Sequence, residues 1–119
     1  MYKLNASNYP ELTDAISRQV AELRKDIPET MKGFSAMAKG AEADGALGGK
    51  TKELIAMGIA IALRCDGCVG FHTKSLLKMG ATRQEFEEML GVAIYMGGGP
   101  SLMYAAQALE AWEQFGGPA

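Results

Sequence analysis

Glycine and proline cut this chain into six segments, and within each the apolar residues recur at every third or fourth position rather than every second. That spacing leaves no alternating β-branched run able to lie half-buried in a sheet, so the chain is constrained to pack helix on helix. Pro10 and Glu11 open the first segment. Leu12, Ala15, Ile16, Gln19, Val20 and Leu23 follow at helical spacing, with Arg24 and Lys25 at the negative end of the helix dipole. Pro28 suits the first position of a second helix, which carries Met31, Phe34, Met37, Ala38 and Ala41 on one face and is ended by Gly45, Gly48 and Gly49. A third runs from about Lys50 to Arg64 and is apolar nearly all round, so it is expected to be buried on most sides, either at the centre of a core or in a subunit interface.

The fourth segment begins at Cys65-Asp66-Gly67-Cys68 and stops at Gly80, which suits the position after a helix end. Thr82-Arg83-Gln84-Glu85 has the form of a capping box, and Phe86, Met89, Leu90, Ala93 and Ile94 make the fifth helix amphipathic. Gly97-Gly98-Gly99-Pro100 breaks the chain before a sixth helix with Leu102, Ala105, Ala106, Leu109 and Trp112, and Gly116-Gly117-Pro118 closes it. The fold class is all-α, in a single domain spanning residues 1–119, with no internal repeat.

The formal net charge of −2, with dispersed basic residues, offers no footprint for nucleic acid. No run of about 18 apolar residues is present to span a membrane. The start, Met1-Tyr2-Lys3-Leu4-Asn5, lacks the apolar run of a signal peptide, so a cytoplasmic location is expected. In a reducing compartment a C-x-x-C pair is catalytic, redox-sensing or metal-binding sooner than a static staple.

The two cysteines and the single histidine, His72, fall within eight residues of one another. Two thiols three apart can cycle between dithiol and disulfide, and a histidine four beyond Cys68 lies one helical turn further along the same face. With Cys65 near the N-cap and Cys68 in the first turn, free amide hydrogens and the positive dipole end favour thiolate over thiol. The steps 65, 68 and 72 continue through Ser75, Leu76 and Met79, which turns both sulfurs and the imidazole inward at the lip of the core and leaves Lys74 and Lys78 to water. Glu53 stands one residue before the wholly apolar run Leu54 to Leu63, at the edge of the interior. It is either a carboxylate that reaches the thiols, if the third and fourth helices pack antiparallel, or a first-turn glutamate complementing the dipole.

A thioredoxin-like reading needs a strand before the cysteines, and haem attachment needs histidine directly after Cys68, where this chain has Val69. Zinc could take Cys65, Cys68 and His72, but a closed site needs a fourth ligand, from Asp66, Glu53 or another subunit. Two cysteines that merely pack are the bland alternative. Met57 and Met96 read as core filler that could line a pocket, Tyr95 and Tyr104 have no assigned role, and Glu85, Glu87 and Glu88 read as a solvated first turn.

Glu53, eleven intervening residues, Cys65-x-x-Cys68, three intervening residues and His72 resemble the signature of the alkylhydroperoxidase (AhpD-like) branch of the carboxymuconolactone decarboxylase family, over roughly Lys50 to Tyr104. The resemblance implies an all-α fold assembled as a homo-trimer or hexamer, no bound cofactor, and a cycle reducing a peroxide or a small disulfide. It makes Cys68 the peroxidatic thiol, Cys65 the resolving one, His72 and Glu53 the proton relay, and a dithiol of lipoyl type the reductant. One departure is that the best-known peroxidase members carry a second histidine between the cysteines, where this chain has Gly67. The family's decarboxylase branch does without the cysteine pair, so a lactone decarboxylase or isomerase acting on a small organic acid is the alternative within the family, and a metal-binding or structural oligomer the alternative outside it.

Overall fold

The computed structural model describes residues 8–119, so the expectation drawn from Met1 to Asn5 lies outside the described residues. Six helices follow in order: α1 (Tyr9–Asp26), α2 (Pro28–Glu42), α3 (Gly49–Leu63), α4 (Asp66–Lys78), α5 (Arg83–Gly97) and α6 (Gly99–Gln114). Among the described residues there is no strand. The all-α reading holds, with boundaries within a few residues of those that the turn residues set.

Local chemistry explains the ends. Asn8 caps α1 by accepting from the Glu11 amide, and Pro10, Pro28 and Pro100 each sit in a first turn, where no amide hydrogen is needed. Gly80 adopts φ 79° after α4, and its amide and that of Ala81 close back onto the carbonyls of Leu77 and Leu76. The capping box of α5 is complete, Thr82 and Glu85 each satisfying the other's amide. Glu85 is more than a solvated glutamate. Its carboxylate also receives Lys50 Nζ at 2.9 Å, tying the start of α3 to α5, and the Thr82 amide first and Lys50 second hold it below the usual glutamate range.

The core gathers where α3, α4, α5 and α6 meet. Met57, Ile61, Val69, Leu76, Phe86 and Trp112 are fully buried there. Phe86 and Trp112 pack with ring centroids 4.8 Å apart, and the chain end folds back so that the Pro118 carbonyl accepts the indole N–H at 2.9 Å. The first half of α1 is pinned over α4 and α6: the Tyr9 amide donates to Gln114 Oε1 at 2.8 Å, and the Thr13 hydroxyl to the Tyr9 carbonyl at 3.0 Å. Gly70 permits this contact, since a Cβ there would lie 2.7 Å from Thr13 Cγ2 and 3.3 Å from Tyr9 Cδ1. Gly70→Val is expected to cost about 1–3 kcal/mol of stability through overpacking. A urea midpoint equal to wild type would show that α1 yields freely at this point.

Within one chain, the burial expected of α3 at the centre of a core is not met. α3 is not buried on most sides: Glu53, Met57, Ala60 and Ile61 face inward, while Ile55, Ile59 and Leu63 stand about half exposed or more. The other helices cover only one side of it. α2 has no buried residue at all, and the apolar face carrying Phe34 and Met37 looks outward.

Candidate active site

Cys65 is held at the joint between α3 and α4. Arg64 takes the left-handed conformation (φ 57°, ψ 46°) and is the one non-glycine residue to do so among the described residues. A left-handed non-glycine residue costs roughly 1–2 kcal/mol, and such strain collects at functional sites. It lets the Arg64 and Cys65 amides close onto the Ile61 and Ala60 carbonyls, each at 3.2 Å, and reverses the chain within one residue. Nothing in the sequence signals this turn, because no glycine marks it.

Cys65 is then the N-cap of α4, and its sulfur accepts the Cys68 amide at 3.2 Å. The free donors of a helix start therefore point at sulfur, the arrangement expected to favour a thiolate. The two sulfurs are joined in a disulfide, with the Cα atoms 5.2 Å apart. Both cysteines are half-buried, with Cys68 packed against the core cluster, as the helical spacing anticipates.

The short reversal at Arg64 lays α4 back along α3, which settles the position of Glu53. Its side chain is 2% exposed, and Oε2 pairs with Nδ1 of His72, whose side chain is 30% exposed. Two residues nineteen apart in sequence thus meet across the α3–α4 interface. A buried carboxylate needs a partner, and this one takes an imidazole that rests one turn beyond Cys68 on the same helix face. With Nδ1 given to Glu53, the free Nε2 is the nitrogen available for proton transfer. All four residues singled out in the sequence, Glu53, Cys65, Cys68 and His72, belong to this one region of the α3–α4 pair. Of the helical face drawn from the spacing, Leu76 is buried and Ser75 half-buried, whereas Met79 is exposed; Lys74 and Lys78 face water as expected.

Gly67, where the sequence departs from the resemblance, lies under α1. A Cβ added there would come 2.8 Å from Ile16 Cδ1. A side chain at position 67 would therefore have to displace the tip of Ile16. The sequence offers no sign of that contact, which depends on how α1 crosses α4.

Other candidates separate from the site. Among the described residues no three of His, Cys, Asp and Glu are gathered to hold a metal ion, and the two cysteines are joined to each other. Met57 is buried in the core, whereas Met96 lines an open apolar groove of about 420 Å³ between α3 and α5, together with Ile55, Ile59, Met89 and Val92. Tyr95 is largely exposed. Tyr104, given no role from sequence, lies beside Asp66; burial first and this carboxylate next push its phenol up. No helix among the described residues is long and apolar enough to cross a membrane.

Comparison with known proteins agrees with this fold. An uncharacterised protein of Cupriavidus necator is 45% identical over 94 residues, covering 79% of this chain and 83% of its own. A second, from the cox locus of Paracoccus denitrificans, is 36% identical over 84 residues, covering 71% and 76%. The crystal structure of the apo form of lpg0406, a carboxymuconolactone decarboxylase family protein from Legionella pneumophila, superposes with a TM-score of 0.89 at 58% identity, over 90% of this chain and 96% of that one. The carboxymuconolactone decarboxylase family model itself matches residues 28–111, from the start of α2 to the last turns of α6 and across the whole Glu53–His72–cysteine constellation. By sequence and fold, the chain belongs to the carboxymuconolactone decarboxylase family.

Proposed function

We propose that this protein is a thiol oxidoreductase of the alkylhydroperoxidase-like branch, reducing a peroxide or a small disulfide through Cys65 and Cys68. The observation that carries the reading is the pairing of buried Glu53 with His72 one turn from a disulfide-forming C-x-x-C at a helix start. In the cycle, the Cys68 thiolate attacks a peroxide oxygen. The O–O bond breaks, the departing alkoxide takes a proton from the His72–Glu53 pair, and Cys68 becomes a sulfenic acid. The Cys65 thiol displaces water from that sulfenic acid to form the disulfide. An external dithiol of lipoyl type then gives two electrons and two protons, becoming a disulfide itself and restoring both thiols.

Stoichiometry tests the reading. Pre-reduced protein mixed with a limiting alkyl hydroperoxide should lose two thiols per peroxide consumed and release one alcohol. If peroxide and thiols both persist, while small disulfides exchange readily, the substrate is a disulfide. If neither reacts, the oxidoreductase reading is wrong. Turnover of a lactone or other small organic acid that survives loss of both cysteines would instead support the decarboxylase reading.

The protein is further proposed to act as a homo-oligomer, a trimer or a hexamer. Support comes from the outward apolar faces of α2 and α3 and from the α3–α5 groove, whose Ile55, Ile59, Val92 and Met96 are each about half exposed or more. A monomer rarely leaves such a surface in water. Light scattering should give a multiple of 12.7 kDa, and Ile59→Asp should lower it by placing a charge in the apolar contact. A monomer mass across a wide concentration range would end this proposal.

A further inference from the structure

Gly67 and Gly70 stand about one turn apart on the side of α4 that meets α1, and three residues of α1 at helical spacing fill the notch they leave. Tyr9 and Thr13 are fully buried over Gly70, where a Cβ would come 3.3 Å from Tyr9 Cδ1 and 2.7 Å from Thr13 Cγ2. Ile16, one turn further along, lays its Cδ1 over Gly67, between the two cysteines. These residues are held in place. The Thr13 hydroxyl is given to the Tyr9 carbonyl at 3.0 Å, which leaves its methyl to the glycine. Tyr9 is tied to α6 twice, its amide to Gln114 Oε1 at 2.8 Å and its hydroxyl to Gln107 Oε1 at 3.2 Å. This half of α1 therefore rests on the C-x-x-C turn from a fixed position, and the cycle above makes no use of it.

That position bears on the second half of the cycle. A disulfide needs its Cα atoms within about 4.4–6.8 Å of each other, and those of Cys65 and Cys68 are 5.2 Å apart. Cys65 lies outside the helix, at φ −101° and ψ 101°, and glycine is the residue that most readily lets a backbone open. Once the S–S bond is cut, non-covalent contacts alone keep the turn closed. Gly67 also has no side chain to hold Ile16 away, so the residue that loosens the turn is the one that α1 packs against. We propose that Ile16 braces the C-x-x-C turn and keeps Cys65 within reach of Cys68 when both are reduced or when Cys68 is a sulfenic acid. In the step it serves, the Cys65 sulfur displaces water from the Cys68 sulfenic acid. One S–S bond forms, one S–O bond breaks, and the Cys65 proton leaves with the water. Restricting the turn beforehand raises the effective concentration of Cys65 at Cys68. Ile16 acts through Gly67 rather than on substrate, so it is a positioning residue, and the inference rests on the oxidoreductase reading.

The test separates closure of the disulfide from attack on the substrate. Ile16→Val removes only the carbon that lies over Gly67, and Ile16→Ala removes everything beyond Cβ. In Ile16→Val the equilibrium of the Cys65–Cys68 couple against dithiothreitol should shift roughly three- to tenfold toward the dithiol, and further in Ile16→Ala. After one equivalent of peroxide, disulfide closure should slow by a similar factor. Consumption of the peroxide itself, which needs Cys68 alone, should stay within about twofold of wild type. Ile16→Leu keeps a δ carbon and should return both readings to within about twofold of wild type. Phe86→Leu thins the core between α5 and α6, and it should lower stability while leaving the couple within about twofold. A wild-type couple that equilibrates but is unmoved in Ile16→Val and Ile16→Ala would overturn the brace alone. So would an equal shift in Phe86→Leu. A wild-type dithiol that consumes no peroxide and exchanges with no disulfide would overturn the oxidoreductase reading and the brace with it.

Discussion

Cys68→Ser is expected to abolish turnover, with a loss of at least about 10³-fold, because the attacking sulfur is replaced by a hydroxyl that no base here can ionise to a useful extent. Cys65→Ser should behave differently. It retains the attacking thiol, consumes one equivalent of peroxide, and then stalls with Cys68 as a sulfenic acid open to trapping by a carbon nucleophile. The asymmetry is the informative part, since a metal site or a pair of packing cysteines would treat the two substitutions alike. Multiple turnover retained in both variants would refute the assignment. The proposed roles come from the family resemblance and accord with placement: Cys68 shares a helix face with His72, whereas Cys65 caps the helix at the α3–α4 joint.

The second large effect is expected at Glu53. Its side chain is almost completely enclosed and pairs with His72. Glu53→Gln keeps the shape and removes the carboxylate that orients the imidazole. Loss of assisted proton transfer ordinarily lowers a rate by about 10²–10⁴-fold, and we expect the reaction of Cys68 with peroxide to fall within that range. His72→Ala should give a comparable loss and leave a buried carboxylate without its partner, at a cost of about 3–5 kcal/mol in stability. The two can be told apart by alkylation across pH. In wild type the Cys68 thiol should ionise below the free-thiol reference of about 8.5, and in either variant it should ionise at higher pH. A double variant no slower than the worse single one would show that the pair works as a unit. A Cys68 reactivity indifferent to both residues would remove the relay from the mechanism.

Much of this was legible in the chain because the governing signals are local. Proline in a first turn, the Thr82–Glu85 capping box and Gly80 after α4 act over a few residues, and each sits where the spacing placed it. The site was legible for a different reason. Cys65, Cys68 and His72 are brought together by a single helix, whose geometry the sequence spacing already contains. The composition of α3 was legible too, but its surroundings were not. An apolar helix looks the same in sequence whether its second face meets a core or another subunit, so Ile55, Ile59 and Leu63 carried no sign of facing outward.

The sequence by itself determined the all-α class, the helix ends and the alignment of two thiols with a histidine, since all of these depend on neighbours within one or two turns. Only the tertiary structure decided whether Glu53 meets His72 or stands alone as a helix-end charge. That choice turned on the left-handed Arg64, which folds α4 back along α3 and brings together residues that no local rule connects. The same holds for Gly67 under Ile16 and for Asp66 beside Tyr104. Each is a contact between helices distant in sequence, fixed by the way whole faces pack, and packing is a property of the assembled bundle rather than of any segment in it.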